Sequence, residues 1–309
     1  MDMPAQPRGQ VQLDTMVAGP LFMLSAALLF TLVNLLIKLL GPQYTVWHIG
    51  FFRFFGGAVV LLAIFGRHRN PFKGNDIRLL IIRGCTGSAA FICAVSAIRM
   101  LPVSTALVIF YAYPAFAAIA SFLLYGERLT RAEMVCISVV LAGIGVLFGF
   151  PKAGSLLGQC MALAGSAFAG LTVTLIKTLR QKNGPVIIYL YFCTMGVFVT
   201  LPFFGMHPLI PSDPLQWVMV MGIVLASLTG QLLMNQGFFY CRGWEGGVLM
   251  SSEVVFTAVV GIVFLGDPTT LRFWLGGLMI FGSVVALNRF KGHGRSAPVL
   301  RTAAPTEGD

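Results

Sequence analysis

The chain is 309 residues long, 57% hydrophobic and only 10% charged, with a mean hydropathy of +0.85. Soluble domains carry roughly 25% charged residues, so this composition excludes a water-soluble fold. The net charge of +10 is spread over short loops between apolar runs, a distribution that marks topology and excludes a nucleic-acid footprint.

Apolar stretches long enough to cross a ~30 Å hydrocarbon core fall at 18–40, 46–65, 79–98, 103–125, 134–151, 155–178, 186–206, 217–238, 246–265 and 272–289. The fold class expected is an all-α integral membrane protein with ten transmembrane helices. The connections are short, so no soluble domain is inserted. Residues 1–17 read as an N-terminal tail and 291–309 as a disordered C-terminal tail. With the N-terminus in the cytoplasm, cytoplasmic segments hold 15 of the 21 basic residues and the outer segments four. That positive-inside pattern places both termini in the cytoplasm. The tryptophans Trp47, Trp217, Trp244 and Trp274 fall at helix starts, as interfacial anchors do.

In chain order, helix 1 lacks a small-residue cleavage site and reads as a retained span. It carries the polar stripe Thr31, Asn34 and Lys38. Helix 2 holds Arg53, with Gly50, Gly56 and Gly57 one turn away. Those glycines leave room for a substrate anion, a partner carboxylate or a closely packed helix. Arg83 in helix 3 lies near the cytoplasmic end and is expected to snorkel to the headgroups. Helix 4 contains Tyr111, Tyr113 and Pro114. The proline has no N–H and crowds the Phe110 carbonyl, so a structural kink is expected there, against a cavity wall.

Helix 8 carries Ser227, Gln231 and Asn235 on one face. Amides in hydrocarbon need partners, so this stripe faces the bundle interior, for inter-helix bonding or for substrate. Glu253 in helix 9 is the only acid deep in a span. A charge there costs about 2.5–3.5 kcal/mol on insertion scales, so it should face protein or water. It reads as a proton-titrating or cation-binding carboxylate, or as a structural partner for a buried arginine. The six cysteines have no paired or metal-ligand spacing and read as small packers.

The two halves repeat one another. FAAIASFLLYGERLT (116–130) recurs 140 positions later as FTAVVGIVFLGDPTT (256–270), and ALLFTLVNLLIK (27–38) resembles SAFAGLTVTLIK (166–177). Five helices per copy is an odd number, so the second copy enters the membrane from the opposite face, as two inverted five-helix repeats over 18–151 and 152–290. Such repeats put a substrate site near the midplane, between the halves. At the 140-residue offset Tyr113–Pro114 faces Glu253–Val254, the place where the symmetric scaffold is expected to become specific.

The repeat resembles the drug/metabolite transporter superfamily, in its EamA-type branch. PAFAAIASFLLYGERLT (114–130) is similar to the proline-bearing helix and Gly–Glu turn that close that family's repeat, and VVFTAVVGIVFLGDPTT (254–270) departs by Asp for Glu and Val for Pro. FFRFFGGAV (51–59) looks like the arginine-bearing second helix of its first repeat. The resemblance implies an inner-membrane carrier, a permease moving small metabolites by alternating access through a central cavity. It implies no cofactor and no residue-level substrate motif.

The function expected is secondary-active transport of a small polar or zwitterionic metabolite, with protons as a candidate coupling ion, by a monomer or homodimer in contact with membrane lipids. The cavity residues expected are Glu253, Arg53, Tyr111, Tyr113, Asn34, Gln231 and Asn235. No GxxxxGK[ST] P-loop is present for ATP-driven pumping. The alternative of a lipid-moving or accessory subunit remains. A membrane-embedded enzyme is disfavoured: the four histidines (48, 68, 207, 293) lie near helix ends or in loops, with no HExxH or GxSxG.

Overall fold

Among the described residues the apolar runs fold as helices, several of them opened by proline or closed by glycine. The computed structural model describes residues 8–66, 72–126, 130–147, 155–180, 182–240 and 249–293. Its helices are α1 (Arg8–Leu39), α2 (Val46–Phe65), α3 (Ile77–Met100), α4 (Val103–Phe110), α5 (Tyr113–Tyr125), α6 (Arg131–Leu147), α7 (Leu156–Leu179), α8 (Pro185–Met206), α9 (Pro214–Tyr240), α10 (Ser252–Leu265) and α11 (Leu271–His293). Among the described residues there is no strand. Pro185 and Pro214 open α8 and α9, where a missing N–H is harmless. Gly126 and Gly266 close α5 and α10 at φ +64° and +65°, repeat-matched positions in the left-handed conformation that ends helices. α1 begins at Arg8, inside the segment expected as a tail. Residues beyond His293, and Trp244, lie outside the described residues.

Among the described residues seven spans are long and apolar enough to cross a membrane, α4 and α5 together forming one of them (Val103–Tyr125). The shorter α6, α10 and the apolar part of α11 complete the ten-helix plan. The fourth span is broken at Tyr111–Ala112, with Pro114 in the first turn after the break, as its missing N–H requires. The ninth is interrupted at Ser251, 140 residues on, although Val254 stands where the proline was. There a hydroxyl replaces the proline's effect: Ser252 Oγ donates to the Leu249 carbonyl at 2.6 Å.

The packing obeys an exchange of halves. α1 lies along α9 as α3 lies along α7, and α10 lies on α1 as α5 lies on α7. α2 meets α8, α4 meets α10 and α6 meets α11 across the same pseudo-two-fold. These are two inverted five-helix repeats. Leu123, Val263, Phe264 and Leu278 stand exposed around the outside, an apolar girdle that suits lipid and not water.

Charged side chains fasten the helix ends. Lys38 Nζ donates to the carbonyls of Ile98 and Leu101 at 2.9 and 2.7 Å, closing the end of α3. Arg99 donates to those of Ile37, Leu40, Gly41 and Tyr44 at 2.6–3.0 Å, closing the end of α1. Asp267 accepts from the Ser104 amide and hydroxyl at 2.8 and 2.7 Å, at the first turn of α4. Lys38 is thus a cap for orphan carbonyls, not part of an open polar stripe.

Candidate functional site

The helix break at Ser251 leaves Glu253 in the first turn of α10, buried in the bundle. Asn34 Nδ2, from α1, donates to its Oε1 at 3.0 Å. Tyr111, from the break between α4 and α5, donates to its Oε2 at 2.5 Å. The same phenol lies 3.2 Å from the Met250 carbonyl, next to the interrupted turn. Both carboxylate oxygens of a second-half residue are therefore held by first-half donors. One turn further on, the hydroxyls of Thr31 and Thr257 meet at 3.2 Å. Thr31 already gives its proton to the Ala27 carbonyl at 3.0 Å, so Thr257 is the donor in that pair. A small enclosed cavity adjoins the clasp, lined by Val108, Tyr111, Ser251, Val254, Ile280 and Val284. Tyr113 stands half-buried beside the clasp, its ring 5.4 Å from that of Tyr111 and edge-on to it.

A second group of buried polar atoms lies on other helices. Arg53, in α2, is buried, with its guanidinium 4.0 Å from the centre of the Phe91 ring and 5.8 Å from that of Phe192. The glycines beside it serve close helix packing, not open space: a Cβ on Gly50 would come 2.9 Å from Thr200 and one on Gly56 2.9 Å from Val224. Arg83 does not snorkel. It is 3% exposed, with its guanidinium 4.7 Å from the centre of the same Phe192 ring. The reason is α8, which approaches so closely at Gly84 that an added Cβ would lie 2.6 Å from Met195, closing the route to the headgroups.

The two cations share one ring and are held roughly 10 Å apart or less. At an effective dielectric of 20 that repulsion is about 1.7 kcal/mol. Neither arginine forms an ion pair with Glu253, whose oxygens are taken by Asn34 and Tyr111. The expectation of Glu253 as a structural partner for a buried arginine is therefore not met by direct contact.

On α9, Ser227 bonds its own helix at the Val224 carbonyl, Asn235 is buried, and Gln231 keeps a buried Oε1 without a partner. The structure thus brings Glu253, Asn34 and Tyr111 into one cluster, and leaves Arg53 and Gln231 among the unpartnered atoms. Sequence reasoning missed Tyr189, whose buried hydroxyl has no oxygen or nitrogen partner and lies beside the weakly bonding thiol of Cys193. A hydroxyl in the middle of the apolar run VIIYLYF was the available signal. Among the described residues no cluster of His, Cys, Asp or Glu is arranged to hold a metal.

The sequence pattern of the EamA-like transporter family matches residues 17–149 and 156–289. The chain belongs to this family. Among curated relatives, the pseudopaline exporter CntI of Pseudomonas aeruginosa is 24% identical, covering 90% of this chain and 99% of the relative. Human solute carrier family 35 member G1 is 23% identical, over 86% of this chain and 78% of its own. A solved crystal structure at 17% identity superposes with a TM-score of 0.61, covering 89% of this chain and 98% of that one, and shares the fold. The protein is an EamA-family membrane transporter with multiple apolar spans.

Proposed function

We propose that this EamA-family member is a secondary-active carrier of a small polar or zwitterionic metabolite. It works by alternating access in the inner membrane, as a monomer or homodimer with both termini in the cytoplasm and with Glu253 as the proton-coupling group. One observation carries the reading: the only acid deep in a predicted span is held by side chains from the opposite half. A carboxylate in hydrocarbon is costly, and one clasped across the seam between two inverted halves is placed where both must respond to its charge. When Glu253 is protonated it loses the charge that strengthens both bonds and gains an O–H of its own. Tyr111 or Asn34 must then weaken its hold, or Tyr111 must turn its proton to the Met250 carbonyl and accept instead. The exporter among the relatives supports outward movement as the first direction to assay.

A thermal-shift screen of the purified protein against metabolites identifies a ligand through the stabilisation that binding confers. Transport of that ligand is then followed in proteoliposomes across a pH series. Glu253→Gln is expected to keep ligand binding and exchange while losing the pH dependence of net transport. A variant whose pH dependence matches that of the parent overturns the coupling role.

A further inference from the structure

The described residues hold six buried side-chain polar atoms without a hydrogen-bond partner: Arg53 Nε, Arg83 Nε and Nη1, Ser166 Oγ, Tyr189 Oη and Gln231 Oε1. All of them lie on α2, α3, α7, α8 and α9. None lies on α1, α4 or α10, where the Glu253 clasp satisfies its members. The unmet hydrogen-bonding capacity of the interior therefore lies outside the Glu253 clasp, and three of the six atoms are guanidinium nitrogens.

A guanidinium has two kinds of surface. Its flat face stacks on aromatic rings, and its rim carries N–H donors that match the two oxygens of a carboxylate in the same plane. Here the rings of Phe91 and Phe192 stand against Arg53 and Arg83. What is missing for each is an acceptor at the rim. Buried charges of this kind are ordinarily paired, yet no carboxylate among the described residues bonds either directly. Glu253 acts on Arg53 only through space, its oxygens being taken by Asn34 and Tyr111. Two like charges beside one apolar ring are best neutralised by two anionic groups arriving together.

We infer that Arg53 and Arg83 form a two-point receptor for a diacid, so that the transported molecule carries two carboxylate groups spaced to reach both rims. Tyr189 and Gln231 supply a further donor and acceptor from α8 and α9 for the polar remainder of that molecule. The inference rests on the carrier reading above, in which the helices packed closely around these arginines part to admit the substrate, and it names that substrate's class.

Binding is measured on the full-length protein in detergent, without any gradient, so it is independent of whether the protein couples transport to protons. The probes are succinate, glutarate and adipate, the monocarboxylates and diamides of the same lengths, and an alkyl bisphosphonate. At least one dicarboxylate is expected to raise the Tm and bind more tightly than its monoacid, with the diamides inert. Arg53→Gln and Arg83→Gln should each weaken that dicarboxylate by about tenfold or more, the loss expected of a charge-assisted hydrogen bond. The diacid then binds no better than the monoacid. Arg53→Lys and Arg83→Lys keep the charge and lose the fork, and should fall between parent and glutamine variants. If a glutamine variant does not fold, the parent series and the lysine variants decide. Equal shifts with dicarboxylates and diamides, no shift with any probe, parent-like affinity in the lysine or glutamine variants, or a preference for the bisphosphonate overturns the assignment.

Discussion

Two interfaces of this bundle occupy equivalent places in the two halves and are built differently. Where α1 meets α10, Thr31 faces Thr257 and Asn34 holds Glu253. Where α7 meets α5, the repeat places Gly170 at the position of Thr31 and Ala117 at that of Thr257. There the backbones come so close that a Cβ on Gly170 would lie 2.6 Å from the Ala117 amide nitrogen. One seam is held apart by polar side chains bonded to one another around an acid. The other lets backbones meet at Gly170, with the uncharged bonds of Thr174 to the Ala117 carbonyl and of Tyr125 to Thr178 beside that contact. Membrane helices associate by both routes, small residues in contact or polar groups bonded across the gap. The duplicated scaffold accommodates either, and the polar version is the one that carries the acid.

The largest effect is expected from forcing the close seam to imitate the wide one. Gly170→Thr puts a branched side chain against backbone, which cannot give way as a flexible side chain can. A loss above about 3 kcal/mol is expected, at the top of the range for overpacking. It would be read as loss of folded protein or a large fall in Tm. A parent-like Tm would show that the two seams are interchangeable.

A smaller effect is expected at the clasp. Tyr111→Phe removes the donor to Glu253 and leaves one carboxylate oxygen buried without it. About 1–3 kcal/mol of stability should go, the range for an unsatisfied buried group, measured by thermal unfolding at fixed detergent and pH. No loss of stability would mean that water replaces the phenol and that the clasp is not tight. The smallest effect is expected at the hydroxyl rung. Thr31→Val keeps the shape and removes one inter-helix bond, with a cost of about 0.6 kcal/mol, the average in membrane proteins. A loss as large as that of Tyr111→Phe would make the rung, and not the acid, the main fastening of this seam.

Much of this contrast was open to reading in one dimension, and some of it was not. Apolar length and loop charge locate the helices, because the bilayer sets both. Glu253, Asn34 and Tyr111 stand out because each is polar where hydrocarbon surrounds it, and the structure brings them together. Pro114 announces the break after Phe110. The break at Ser251 had no such signal, since it depends on a hydroxyl competing for a carbonyl, which many helical serines do not do. Arg83 was misread because its burial is decided by α8, some hundred residues later in the chain, pressing on Gly84. The α9 stripe shows a further limit: Ser227 and Gln231 share a face, yet one is satisfied by its own helix and the other is not. Periodicity assigns the face, while the neighbour's chemistry assigns the role.

The mutual capping of α1 by Arg99 and α3 by Lys38 has a mechanical consequence. Each helix supplies the group that finishes the other, so fraying at either end withdraws the cap from its partner. The capped ends of α1 and α3 should behave as one cooperative unit, opening together in hydrogen exchange or not at all. Asp267 extends the fastening to the start of α4. A protein tied in this way at one rim must bend elsewhere, and the chain offers two joints, at Tyr111–Ala112 and at Ser251, where the backbone ladder is already interrupted. Tyr111 of the first joint bonds Glu253, and the second joint lies two residues before it in the chain. On the coupling role proposed above, a proton on this carboxylate would act beside the two places where the backbone ladder is already open.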